Sequence, residues 1–238
     1  MNSMSRLLGV LMVLLLATGC ASVDKTAFTS EAKKKIKTVA VMEVTEPDEY
    51  VLNPGQLPGG AAFYAFGAVG GLVLGGIEAT RLNSATQAFT ASIKPANPEV
   101  AKHWNESVQS LLQAKGYAVT SLTKLPLKKE GNGLDCASVA GKFDALLVST
   151  LEPSYVIDTA VEPNVRVTVK LMSGNCEQTH FSDAFLYSAQ PLGEHIHITR
   201  DEKFGFPTRE ALIADPQKAR LGLRTGVQEI AKKMASEF

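Results

Sequence analysis

Two hydrophobic periodicities alternate along the chain, and their order restricts the fold more than any other feature. Residues 38–44 (TVAVMEV) are β-branched and largely apolar, the pattern of a strand buried on both faces. Asn97 and Pro98 then open a helical pattern, with Asn97 as N-cap, Pro98 in the first helical position and Glu99 at the positive end of the dipole. Val100, Trp104, Val108, Leu111 and Leu112 fall on one stripe, and Gly116 ends the helix. A short strand at 117–122, a brief helix at 135–140 and an apolar strand at 143–151 (FDALLVSTL) follow. Residues 165–172 (VRVTVKLM) alternate and so have one buried and one wet face; Ser173, Gly174 and Asn175 turn the chain into a partner strand at 179–189. Residues 190–208 read as irregular. A closing helix at 216–238 carries Leu221, Leu223, Val227, Ile230, Ala231 and Met234 as its apolar stripe. The order predicts an α/β fold, a mixed sheet with helices packed on it.

The N-terminus has the build of an export signal. Arg6 and the α-amine are the only positive charges before the uncharged residues 7–17 (LLGVLMVLLLA). Eleven apolar residues are too few to span a bilayer, which takes about 20, so the run reads as a signal core. It leads through Ala17, Thr18 and Gly19 into Cys20, Ala21 and Ser22. This ATGC motif resembles the lipobox of bacterial lipoproteins, with Ala17 where the family prefers Leu. The resemblance implies cleavage before Cys20, acylation of Cys20, and, since Ala21 is not the Asp that retains such proteins at the inner membrane, anchoring at the periplasmic face of the outer membrane. Several acyl chains make a durable anchor where one would be marginal. Residues 1–19 are then the signal peptide, 20–36 a lipidated tether whose basic cluster of Lys33, Lys34 and Lys35 continues into Lys37, and 37–238 the periplasmic domain.

Of the 24 basic residues only Arg6 precedes Cys20, and none of the 24 acidic ones does, so the mature chain is close to neutral. That argues against nucleic acid as a partner, because phosphate binding needs a clustered basic excess. With Cys20 acylated, Cys136 and Cys176 remain, either as a disulfide in an oxidising compartment or as two buried thiols.

Residues 50–77 contain no charge, and 61–77 (AAFYAFGAVGGLVLGGI) are nearly all apolar. Gly67, Gly71 and Gly75 recur at every fourth position and would share one helical face, open to close approach by another helix. Glycines cost a helix about 1 kcal/mol each relative to alanine. Such a helix therefore needs a packing partner or lipid. Three readings stand: packing on the chain's own sheet, association with copies of itself or another protein, and insertion in the bilayer. The whole inserted segment is placed at 47–96, with the helix emerging into water after Ile77 through Glu78, Arg81 and Asn83.

Candidate chemistry is sparse. His195 and His197 alternate with Ile196 and Ile198 and, with Glu194, Asp201 or His180, offer a weak zinc-ligand set. His103 falls on the polar side of its helix beside Trp104. Gly131 and Gly133 begin a phosphate-binding pattern in which Cys136 occupies the third glycine position; Gly141 and Lys142 match a P-loop end, but Phe143 follows in place of Ser or Thr. Asp48 and Glu49 lie in an apparent loop. No catalytic residue, resident metal or cofactor is expected.

The order of elements also resembles two groups of outer-membrane lipoproteins, the curli-secretion-channel lipoprotein and the lipoprotein activators of peptidoglycan synthases. That resemblance implies a periplasmic α/β domain that binds proteins and performs no catalysis. The expected role is protein–protein interaction in cell-envelope assembly or maintenance, with outer-membrane lipid held through Cys20 and envelope proteins or further copies of the chain as partners. A periplasmic small-ligand or metal-binding protein is the alternative, and a subunit of an oligomeric export channel a third.

Overall fold

A computed structural model describes residues 24–54, 76–123 and 135–238. The signal segment, Cys20 and the glycines Gly67, Gly71 and Gly75 lie outside the described residues. Seven strands form one sheet: β1 (Thr38–Met42), β2 (Val51–Pro54), β3 (Ala118–Leu122), β4 (Ala145–Ile157), β5 (Val161–Ser173), β6 (Thr179–Ser188) and β7 (Ile196–Thr199). The helices are α1 (Ser30–Lys35), α2 (Gly76–Ile93), α3 (Val100–Ala114), α4 (Arg209–Ala214) and α5 (Pro216–Glu237). The sheet is mixed, as expected. Its order is β3-β1-β4-β5-β6-β7, with β1, β3 and β4 mutually parallel along their contacts and β4, β5 and β6 antiparallel.

Strand β4 is the spine. Its 13 residues pair fully with β5 on one side. On the other, β1 covers Ala145–Leu147 and β2 covers Ser154–Ile157, both parallel to it. The outer edge of β2 is closed by a helix instead of a strand. Tyr50 and Leu52 donate their amide N–H groups to Thr90 Oγ1 and Thr86 Oγ1 of α2, one helical turn apart, at 2.9 and 3.1 Å. Helix α2 keeps one face in the fold, with Ala85, Phe89 and Ile93 buried, while Asn83 and Gln87 on its other side are exposed.

The main core lies between one sheet face and the helices. Val39 and Val41 of β1, Val165, Val167 and Val169 of β5 and Phe185 and Tyr187 of β6 meet Trp104 and Leu112 of α3 and Leu223, Val227 and Ile230 of α5. Fully burying such side chains contributes about 1.5–3 kcal/mol each. Trp104, Val100, Val108 and Leu112 realise the predicted stripe of α3, whereas Leu221 of the predicted α5 stripe is the one large hydrophobic group left exposed among the described residues. The opposite sheet face carries a smaller cluster of Ala40, Cys136, Val139 and Leu146. Residue-by-residue alternation in β1 thus feeds both clusters, which is why its centre is apolar on both faces.

Two expectations need correction here. The stretch assigned to a tether is structured from Thr26, which pairs with Ser182 of β6; Phe28, Ala32 and Ile36 are buried, and α1 lies where a free linker was expected. Thr29 caps α1 by accepting from Ala32 N. The irregular region 190–208 contains β7, which runs parallel to β6 after only a seven-residue connection, 189–195. Parallel neighbours ordinarily need a crossover of a dozen residues or more, so this one must be held tight.

Candidate functional site

A polar network drawn from three segments gathers at the start of α3. Asn97 does not cap this helix. It sits at the end of a short 3₁₀ turn (Lys94–Ala96) with φ 51°, Glu99 follows with φ 47°, and the helix begins at Val100 with no capping side chain of its own. A left-handed conformation is tolerated by asparagine but costs a glutamate on the order of 1 kcal/mol or more. The missing cap comes from another loop: Glu46 accepts from Val100 N through Oε1 and from Ala101 N through Oε2, both at 2.9 Å. A carboxylate at that end also meets the positive end of the helix dipole. The buried Tyr50 hydroxyl donates to Glu46 Oε1, and burial followed by this carboxylate pushes the phenol pKa well above its usual range.

Helix α5 fixes the strained corner from the other side. Arg224 donates to Pro98 O (2.6 Å), to Asn97 O (2.8 Å) and to Glu99 Oε2 (2.7 Å), and Arg220 donates to Ala96 O at 3.0 Å. Asn105 of α3 pairs through both ends of its amide with the backbone of Val44, holding the chain as it leaves β1 for Glu46. His103 is half-buried rather than fully solvated, and burial, then the Arg224 charge, lowers its pKa. Glu46, Glu99, Arg220 and Arg224 are each matched to a backbone group or to another member of the network, and these contacts orient the chain segments that meet at this corner.

Changing Glu46 to alanine is expected to cost about 2 kcal/mol, from the lost cap and the unpaired Tyr50 hydroxyl. In urea unfolding, Tyr50→Phe combined with Glu46→Ala should cost clearly less than the two single changes added together. Strict additivity would show that the two side chains act separately.

The histidines singled out in the sequence have structural partners. His195 places Nδ1 2.6 Å from Leu192 O, and His197 places Nε2 3.1 Å from Ser188 O, so each ring braces one side of the seven-residue crossover. Ile196 and Ile198 turn instead to the main core. Burial, and the charges of Arg166 and Lys25, lower the His195 pKa against the raising effect of its carbonyl partner. Among the described residues no three His, Cys, Asp or Glu side chains group closely enough to hold a metal. Asp201 is engaged with Lys203 and with the turn it caps; Asp48 and Glu49 are exposed loop residues. The weak zinc reading of His195 and His197 finds no third ligand there.

Cys136 and Cys176 are joined as a disulfide, Cα–Cα 6.0 Å, tying the 3₁₀ turn Cys136–Ser138 to the β5–β6 connection. Glycines do form a close-approach face in the described fold, but in α5: Gly222 lies against Tyr155 and Phe204, and Gly226 against Val165 and Tyr187. The glycine pair is visible in the sequence as GLRTG, embedded among charged residues.

No protein-family model matches the sequence, and no curated protein matches it. Among solved structures the chain is similar to the hypothetical protein CT253 from Chlamydia trachomatis, at 10% identity over 84% of this chain and 97% of that one, with a TM-score of 0.32. No helix among the described residues is long and apolar enough to cross a membrane.

Glu46 and Arg224 are the residues that sequence reasoning missed. Glu46 lies more than 50 positions from the helix it caps, and no local spacing rule connects them. Arg224 flanks the apolar stripe of α5, where a solvated charge is the ordinary reading.

Proposed function

We propose that this chain is a lipid-anchored periplasmic protein that mediates protein–protein contacts in cell-envelope assembly or maintenance, without catalysis of its own. The observation that carries the reading is the apolar run of residues 7–17 ending in ATGC, with Cys20 as the acylated residue. The Cys136–Cys176 disulfide suits an oxidising compartment, where such bonds persist. The polar network around Glu46 supports it in a second way: its charges are used in positioning segments, as in a scaffold that presents a surface.

The uncharged segment with Gly67, Gly71 and Gly75 is the proposed contact surface, toward an envelope protein or a second copy of the chain. Mass spectrometry of the protein purified from membranes should find an N-terminal peptide that begins at Cys20 and carries acyl chains. Cys20→Ser should abolish that modification and leave the precursor uncut. A mature chain with an unmodified Cys20, or one cleaved elsewhere, would refute the anchor. For the contact surface, a cysteine placed at Gly71 should give a crosslinked product in intact cells; a monomer with no adduct would remove that role from the segment.

A further inference from the structure

The two ends of the sheet are not equivalent. At one end stand the first residues of β1, β3 and β4, the last of β5, helix α1 and the C-terminal Phe238, which packs on Phe28, Tyr117 and Phe181. At the other stand the last residues of β2 and β4 and the turn into β5, where Ile157 faces Val161. Thirteen residues of β4 separate them by about 40 Å, at about 3.3 Å per residue.

The chain enters the fold near the first end. Thr26 is already paired with Ser182, so only the residues between Cys20 and Thr26 remain to reach a bilayer, a reach of about 20 Å when fully extended. That is half the length of β4. A domain held at Cys20 cannot turn its far end to the membrane without laying the sheet flat.

The charges at the near end fit a lipid surface. Lys34, Lys115 and Lys142 are exposed there and lie in no ion pair with an acid among the described residues. Of the acids at this end, Glu31 pairs with Lys35, Glu237 with Lys233 and Asp183 with Lys25. Asp144 accepts from the backbone N–H groups of Lys37 and Thr38, which hold its pKa down, and Asp135 accepts from Ala137 N. Glu177, on the β5–β6 connection, is exposed and accepts from the Asn175 side chain. Polybasic groups within a Debye length of anionic lipid are attracted to it.

Resting on the lipid-anchor reading above, we infer that the end carrying Lys34, Lys115 and Lys142 lies on the anionic phospholipid headgroups of the anchoring membrane, and that the β4–β5 turn at Asp158 and Thr159 points away from it. The test uses the full-length acylated protein in vesicles of phosphatidylethanolamine and phosphatidylglycerol, with an energy-transfer acceptor on the headgroups. A donor dye is placed by Ala114→Cys at the near end or by Thr159→Cys at the far end, both exposed positions. Transfer from position 114 is expected to exceed that from 159 several-fold. Lys34→Glu combined with Lys115→Glu, or replacement of the lipid by phosphatidylcholine, should lower the signal at 114. Equal transfer, or stronger transfer from 159, overturns the orientation. A difference that ignores both lipid charge and the lysine changes overturns the headgroup contact. Mass spectrometry of Cys20 in the same preparation separates these failures from failure of the anchor itself.

Discussion

Unfolding in urea should show the oxidised protein more stable by about 4 kcal/mol than a variant with both Cys136 and Cys176 changed to serine. The bond joins residues 40 positions apart, and closing a loop of that size removes chain entropy worth about 4 kcal/mol from the unfolded state. Its native-state role adds to this. Cys136 and Val139 form the cover over Ala40 and Leu146, with Phe143, Val148 and Met172 packed at the margin. This second cluster is small, and the hydrogen bonds of its 3₁₀ turn run within residues 135–142, so the crosslink is the covalent tie that holds the turn to the β5–β6 connection. The main core lies across the sheet and does not depend on it. The variant is therefore expected to keep its helical circular dichroism at low urea and to unfold at a lower midpoint. Its denaturant slope should be steeper, since a chain without the crosslink exposes more surface when unfolded. Wild-type protein in reductant should behave as the variant does. A midpoint indifferent to reductant would mean that the apolar contacts alone hold the turn.

The same region shows what the sequence reveals and what it hides. Strand β1 was readable because consecutive apolar residues must serve two faces, and both faces are filled. The alternation of VRVTVKLM gave β5 its correct face, but the strand runs from Val161 to Ser173, because Glu162, Pro163 and Asn164 continue the pairing with β4. Polar residues at a strand's start read as loop when only one strand is considered. Strand β2 was invisible for a related reason: four residues inside an uncharged run have no periodicity to detect, and its partner on one side is a pair of threonine hydroxyls on a helix. Thr86 and Thr90 look like solvent-facing residues until β2 is placed beside them. Asn97 failed as a cap because a distant carboxylate took the role, and β7 was missed because its short parallel connection breaks the usual length rule. In the candidate site, residue types were legible and their roles were not. His195 and His197 suggested ligands, and each instead braces a backbone turn.

Helix α5 supplies the sharpest conflict between local propensity and packing. Replacing Gly226 with alanine would, by helix propensity alone, stabilise the protein by about 1 kcal/mol. The structure predicts the opposite sign. A Cβ added there would stand 2.8 Å from Val165 Cγ2 and 2.9 Å from Tyr187 Cδ1, and one at Gly222 would stand 2.6 Å from the Tyr155 hydroxyl oxygen and 3.0 Å from Phe204 Cβ. Val165, Tyr155 and Tyr187 are fully or almost fully buried, so they have nowhere to retreat. The helix must lift, and a gap of 0.5–1 Å already forfeits about a quarter to a half of the dispersion energy at each separated contact. Gly226→Ala is expected to cost about 1–3 kcal/mol net, and Gly226→Val more than about 3 kcal/mol, as overpacking of a rigid interface does. Gln228→Ala, on the exposed side of the same helix, should stay within about 0.5 kcal/mol of wild type. Lifting α5 also withdraws Arg220 and Arg224 from Ala96, Asn97, Pro98 and Glu99. The left-handed corner before α3 then loses its restraint, so amide hydrogen exchange at Val100 and Ala101 should accelerate in Gly226→Ala before global unfolding sets in. If alanine at position 226 raises the unfolding midpoint, or if exchange at those amides is unchanged, the close packing of α5 on the sheet does not carry the strain at the α3 corner.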